Sequence, residues 1–348
     1  MLCDGKDFGM SDDTFLSYDD VLIAPGFSDV DSRQDCDTSV LLSGAGGIFL
    51  DLPVIAANMD TVCEADMCKA IYKHGGVGVL HRNLAIRQRR DQFVDVAENG
   101  YICGIALGIN ELPLKVARYF MLHGARMIVV DVAHGHSKRV QSVVEGIRGL
   151  IDKNGYECTL VAGNVATADG ARFLADAGAD IIKDGIGPGA ACTTRVQTGV
   201  GIPQLSAVMD CSDAMSDYLG VQVIADGGIK NAGDVAKALA AGADAVMLGG
   251  ILASCIEAPG HVKEVDGVKL KQFRGMASAS AGSRYVEGAE GWVVCDTDVG
   301  SVMTSISNGL QSAMSYVGAR KLHEFRENAR FVQVSHTSMK ENGAHAYS

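Results

Sequence analysis

The chain has 348 residues, enough for one large α/β domain or two small ones. Its formal net charge of −12 excludes the basic stripe that a nucleic-acid backbone requires, so no nucleic-acid partner is expected. With 47% hydrophobic and 21% charged residues it is an ordinary globular composition, and 42 glycines against 6 prolines favour strand-to-helix turns over a proline-rich linker. Met1-Leu2-Cys3-Asp4-Gly5-Lys6-Asp7 carries no apolar signal core, and no apolar run approaches bilayer length. Ten cysteines lie singly, with no CxxC and no zinc spacing, which reads as reduced core residues in a cytoplasmic chain away from membranes.

Residues 1–50 form an N-terminal extension whose most structured piece is Thr14-Phe15-Leu16-Ser17-Tyr18-Asp19-Asp20-Val21. From residue 51 a rhythm begins. Apolar, β-rich runs at 52–57, 76–80, 101–107, 127–132, 159–163, 180–183, 221–225 and 245–248 alternate with helix-patterned stretches at 64–74, 86–99, 112–122, 138–153, 168–177, 204–219 and 232–241. The spacing is that of one βα unit, and eight such units closing on themselves predict a single-domain (β/α)8 TIM barrel over 51–330, with a C-terminal tail at 331–348. His123-Gly124-Ala125, Ala177-Gly178-Ala179 and Ala241-Gly242-Ala243 each read as a helix end capped by glycine before a strand. A doubly wound open sheet is the competing fold, but no GxGxxG follows the first strand.

Barrel chemistry sits where the strands end. Here those ends read Ala57-Asn58-Met59-Asp60-Thr61, His81-Arg82-Asn83, Asp131-Val132-Ala133-His134-Gly135-His136-Ser137 and Gly163-Asn164-Val165. Strand six delivers Gly185-Ile186-Gly187-Pro188-Gly189-Ala190-Ala191-Cys192-Thr193-Thr194-Arg195, whose glycines and proline describe a tight turn with free amides. A thiol on such a loop becomes a nucleophile if its pKa falls, whereas a buried structural cysteine is the bland alternative. Strands seven and eight end in Asp226-Gly227-Gly228 and Gly249-Gly250, which together suit a phosphate cradle with Asp226 facing ribose hydroxyls. Asp131 with His134 and His136 is only a thin metal pattern.

These pieces resemble the IMP dehydrogenase/GMP reductase family over essentially the whole chain. The resemblance rests on Tyr18-Asp19-Asp20-Val21-Leu22, Ala57-Asn58-Met59-Asp60-Thr61-Val62, Ala162-Gly163-Asn164-Val165, the Cys192 loop, Ile224-Ala225-Asp226-Gly227-Gly228-Ile229, Gly275-Met276 and Tyr316-Val317-Gly318. It implies a Cys192 thiolate that attacks C2 of a purine nucleotide and a nicotinamide cofactor that exchanges hydride with that carbon. For a GMP reductase it implies NADPH-dependent conversion of GMP to IMP and ammonia, with Thr194 and Glu287 protonating the departing amine. Gly228, Gly249 and Gly250 would hold the 5′-phosphate, Asp226 the ribose, and Met276 and Ser278 the base edge. Asn58, Met59, Arg284 and Gly288 are further substrate contacts, and Asp131, Ala133, Asn164 and Arg82 lie on the cofactor side. Carbonyls of Gly187, Gly189 and Cys192 would ligate a monovalent cation, K+, and the assembly would be a homotetramer.

Three features separate reductase from dehydrogenase. Only residues 84–100 lie between strands two and three, so the regulatory insertion usual in dehydrogenases is absent. The continuation Thr193-Thr194-Arg195-Val196-Gln197-Thr198-Gly199-Val200-Gly201-Ile202-Pro203-Gln204-Leu205-Ser206-Ala207 resembles the reductase loop. The flap, at about 274–297, is short between Met276 and Glu287, although Arg284-Tyr285 also matches the dehydrogenase's water-activating pair. Phe273 lacks the tyrosine hydroxyl that dehydrogenases offer phosphate, and Asp184 stands where the family carries an apolar residue, poised either to raise the Cys192 pKa or to pair with Lys183. IMP dehydrogenase is the enzymatic alternative, and a catalytically silent nucleotide-binding barrel the non-enzymatic one.

Overall fold

A computed structural model of the chain describes residues 14–282 and 284–335; Cys3, the start of the extension and the tail from 336 lie outside them. Eight parallel strands close into a barrel: Val54–Ala56, Val77–Leu80, Cys103–Leu107, Met127–Asp131, Thr159–Val165, Ile181–Asp184, Gln222–Asp226 and Ala245–Leu248, referred to below as strands one to eight. Strand eight pairs with strand one through Val246 and Val54, which seals the sheet into the (β/α)8 fold. All eight apolar runs became strands because each can be buried on both faces, inward against the barrel core and outward against a helix.

The seven anticipated helices form Ala65–Lys73, Ile86–Glu98, Pro113–Leu122, Lys138–Asn154, Ala168–Asp176, Gln204–Met215 and Ala232–Ala240. Gly124, Gly178 and Gly242 follow three of them with φ of 89°, 97° and 112°, the left-handed cap that the glycine punctuation predicts. An eighth outer helix, Val299–Tyr316, was not anticipated. Its serines and glycines depress helix propensity, yet Val299, Met303, Ile306, Leu310 and Met314 repeat at helical spacing and are buried, and the Asp298 side chain caps it by accepting from Ser301 N.

Two further departures concern the ends of the chain and the flap. Val21–Ala24 pairs antiparallel with Arg330–Gln333, so residues 331–333 of the expected tail lie in a sheet with the N-terminal extension. Val262–Val265, Val268–Arg274 and Glu290–Val294 form a three-stranded antiparallel sheet beyond strand eight. Its first hairpin turns at Asp266-Gly267 with φ of 51° and 78°, and this Asp-Gly dipeptide is a strong hairpin signal. At the opposite end of the barrel, Val40–Leu42 and Ile48–Leu50 make a hairpin whose Leu42, Ile48 and Leu50 are buried. Ser43 ties it to strand five, accepting at its carbonyl from Thr159 Oγ1.

Packing outside the barrel is illustrated by Phe120, which is fully buried and meets Phe93 edge-on at 5.5 Å. Phe120→Ala should destabilise the chain by about 3–5 kcal/mol in urea unfolding, while leaving nucleotide affinity unchanged. A loss below about 1 kcal/mol would contradict the assigned packing.

Candidate active site at the carboxyl ends of the strands

Strand six ends at Asp184 and turns sharply at Gly185, where φ is 138° and an added Cβ would lie 2.1 Å from the Asp226 carbonyl oxygen. Only glycine fits there, and the turn swings the following loop over the barrel mouth. Cys192 N donates to Gly189 O at 2.9 Å, closing a tight turn that leaves the thiol half-buried. Its Sγ donates to Thr194 Oγ1 at 3.3 Å, and Thr194 Oγ1 donates to Glu287 Oε2 at 2.8 Å. Thiol, hydroxyl and carboxylate thus form one continuous hydrogen-bonded line.

Glu287 belongs to the flap, 93 residues further along the chain, and backbone bonds hold it in place. Thr193 N donates to Glu287 O at 2.7 Å, Glu287 N to Ala277 O at 3.0 Å, and Ala289 N to Ala191 O at 2.9 Å. Cys192 and Gly288 form an antiparallel bridge. Gly288 is close-packed enough that an added Cβ would approach Ser278 N to 2.8 Å.

Beside this line lies a charged network. Lys183 points into the barrel, its side chain 2% exposed, with Nζ 2.8 Å from Asp131 Oδ1, 2.7 Å from Asp226 Oδ2 and 2.5 Å from Asn164 Oδ1. Asn164 Nδ2 donates to Asp226 Oδ2 and to Gly185 O, each at 2.8 Å, and Asn58 Nδ2 donates to Asp131 Oδ2 at 3.0 Å. Burial opposes the charge on Lys183, but the two carboxylates outweigh it and raise the ammonium's pKa. Burial likewise opposes the charge on Asp131, and Lys183 with Asn58 holds that carboxyl below its ordinary range.

Of the glycines after strands seven and eight, Gly228 and Gly250 face the Cys192 loop and Gly249 faces Met59 after strand one. An added Cβ at Gly228 would lie 3.4 Å from Pro188 Cβ, at Gly250 3.6 Å from Ala190 Cβ, and at Gly249 3.3 Å from Met59 Sδ. Met276 is half-buried with Sδ 3.8 Å from Asn83 Nδ2, whereas Ser278 is buried and its hydroxyl accepts from Ala281 N. Arg284 is exposed, with its guanidinium 5.7 Å from the Tyr285 ring. Arg82 sits beside Gly108 and its charge reaches Asp131, while Ala133 is exposed on the loop after strand four. Among the described residues no His, Cys, Asp or Glu cluster could hold a metal, and His136 instead packs tilted against Phe173, with ring centroids 4.7 Å apart.

Three features escaped the sequence reading. Lys183 is the hub of the network, and strand alternation could have found it, since Lys183 and Asp184 must face opposite ways. Asp184 therefore neither pairs with Lys183 nor faces Cys192. It is fully buried on the helix side, where it accepts from Gln204 Nε2 at 3.2 Å and from the Cys211 thiol at 3.7 Å. The third is a clamp in which Arg274 grips Asp60 through Nη2–Oδ2 at 2.8 Å and Nε–Oδ1 at 3.1 Å. Burial opposes the Asp60 charge, yet Arg274 and Asn83 hold its carboxyl below the usual range.

A parallel barrel carrying a thiol–hydroxyl–carboxylate line over a glycine cradle has the build of an enzyme working on a phosphorylated ligand through a cysteine. Comparison with known proteins gives the family. The model of the IMP dehydrogenase / GMP reductase domain matches residues 15–345. The chain is similar to a GMP reductase of Vibrio parahaemolyticus, 39% identical with 92% of this chain and 94% of the relative covered. It is also similar to an IMP dehydrogenase of Aquifex aeolicus, 31% identical over 95% of both, and to a GMP reductase of Leishmania donovani, 30% identical over 95% and 96%. The chain belongs to the IMP dehydrogenase/GMP reductase family, a family of oxidoreductases acting on IMP or GMP. The Leishmania alignment runs over 479 positions, more than this chain's 348 residues, so a GMP reductase also carries sequence lacking here. The missing insertion therefore does not separate the two activities.

Burial, with repulsion from Asp226 and Asp210, raises the Asp184 carboxyl well above its ordinary range, and the Cys211 thiol opposes this only in part. The folded chain then keeps a proton that the unfolded chain releases above about pH 4, so this contribution is full below that pH and is lost as pH rises towards the folded pKa. Asp184→Asn cannot ionise. Its melting temperature relative to wild type should climb between pH 4 and pH 8 by about 2 °C or more, and a gap that stays flat would contradict the buried acid.

Proposed function

We propose that the chain is a GMP reductase, converting GMP to IMP and ammonia with NADPH as reductant. The observation that carries this reading is the Cys192–Thr194–Glu287 line, which joins a nucleophile to a proton source through one hydroxyl. The 38–39% identity to GMP reductases of Vibrio species across at least 92% of the chain supports it.

Cys192, as thiolate, bonds to C2 of GMP, because a thiol is a poor nucleophile. The 2-amino group leaves only as ammonia, so it must take up a proton, and Glu287 supplies one through Thr194. The sulfur–carbon bond breaks after C2 has been reduced, and Cys192 is regenerated. A bound nicotinamide cofactor supplies the hydride. Asp131, held ionised, and Arg82, which has no ion-pair partner among the described residues, suit its sugar and phosphate; Asn164 and Ala133 lie on the same side. Gly228, Gly249 and Gly250 take the 5′-phosphate, Asp226 the ribose, and Met276, Ser278, Gly288, Asn58 and Met59 surround the base, with Arg284 a further contact. The carbonyls of Gly187, Gly189 and Cys192 would hold K+. Gly189 O already accepts from Cys192 N and keeps its second lone pair for an ion. A cytoplasmic homotetramer completes the reading.

IMP dehydrogenase is the second reading. The exposed Arg284–Tyr285 pair and the Aquifex relative favour it.

Incubation with GMP and NADPH should release ammonia at the rate of cofactor oxidation. Cys192→Ala should abolish turnover, and Thr194→Val and Glu287→Gln should each lower kcat about 10²–10⁴-fold with little change in GMP affinity. Turnover of GMP by Cys192→Ala would refute the covalent route.

A further inference from the structure

We infer that Lys183 is a positioning residue that couples the cofactor side of the barrel mouth to the ribose side and thereby sets the preference for ribonucleotides over deoxyribonucleotides. The inference rests on the reading of Asp226 as the ribose acceptor. An ammonium has three protons, and Lys183 faces three acceptors, Asn164 Oδ1, Asp226 Oδ2 and Asp131 Oδ1, from strands five, seven and four. Its side chain is 2% exposed, so these partners rather than bulk water fix its position.

The arrangement constrains Asp226 at one oxygen and leaves the other for a ligand. Oδ2 accepts from both Lys183 Nζ and Asn164 Nδ2, whereas no donor among the described residues reaches Oδ1. A vicinal diol of ribose is the ligand such a fixed carboxylate oxygen recognises, since one hydroxyl fewer forfeits a bond to that acceptor. The strength of that acceptor depends on how the Lys183 charge is shared. With Asp131 ionised, the ammonium divides between two carboxylates. With Asp131 neutral it turns to Asp226 alone, and Asp226 becomes the weaker acceptor. Without Lys183 the two carboxylates lose the cation that lies between them, and Asp226 Oδ2 loses one of the two donors that fix it, which also weakens its hold on the sugar. The carboxylate on strand four therefore influences a sugar that strand seven holds.

The test is calorimetric binding of GMP and 2′-deoxy-GMP to the full chain without cofactor, repeated with IMP and 2′-deoxy-IMP. Wild type should prefer each ribonucleotide at least about tenfold, the worth of one hydrogen bond to a charged group. Asp226→Ala should bring the ratio to about one, and Lys183→Met and Asp131→Asn should each bring it below about threefold. Merely structural damage would weaken both nucleotides together and leave the ratio intact. A wild-type ratio retained in Asp131→Asn overturns the inference, as does a wild type without ribose preference. If Lys183→Met does not fold, Asp131→Asn decides alone. A chain that releases no ammonia from GMP defeats the reductase reading and leaves the IMP comparison still able to decide this one.

Discussion

One ammonium between two carboxylates holds the mouth of this barrel together. Lys183 rises from strand six and binds Asp131 of strand four, Asn164 of strand five and Asp226 of strand seven, while Asn58 after strand one steadies Asp131. A buried ion pair of this kind adds little stability beyond what a well-packed apolar core would give. Removing one partner, however, strands a charge at a cost of about 3–5 kcal/mol. The network's value lies in placement. Asn164 passes the constraint on to the Gly185 carbonyl, the root of the loop that carries Cys192.

The environment of Cys192 is completed from a distance. Glu287 reaches Thr194 because backbone bonds at Thr193 and Ala191 strap the flap to the loop, because Glu287 N bonds Ala277 O within the flap, and because Gly288 lets the two segments approach closely. The Arg274–Asp60 clamp anchors the start of the same flap to the segment after strand one. The segment after strand one, the cysteine loop and the flap are therefore tied to one another. This suits a reaction in which a proton must arrive as an amine departs.

The barrel was legible because its rule is local. Each βα unit declares itself by an apolar run, an amphipathic stretch and a glycine cap, and eight repetitions leave little choice of fold. Cys192, Thr194 and Glu287 were legible through family resemblance, and the structure brings them into contact although 93 residues separate Thr194 from Glu287. Lys183 was overlooked because a lone lysine in an apolar strand carries no motif; its meaning comes from two carboxylates and an amide on three other strands, which only closure of the barrel brings within 2.8 Å. Asp184 was misread for the same reason, since its partners Gln204 and Cys211 lie on a helix. The helix Val299–Tyr316 and the flap sheet were obscured by weak propensity and exposed, charged strands, although the Asp266-Gly267 turn was in view.

A GMP reductase requires that Cys192 take GMP itself as its covalent partner. Mixing the chain with GMP alone, quenching in acid and weighing the peptide that contains Cys192 tests it most directly. The peptide of a GMP reductase should gain a mass equal to the nucleotide less ammonia, discharged when NADPH is supplied before the quench. An adduct that forms with IMP and oxidised nicotinamide cofactor, and never with GMP, would contradict it and make the chain a dehydrogenase.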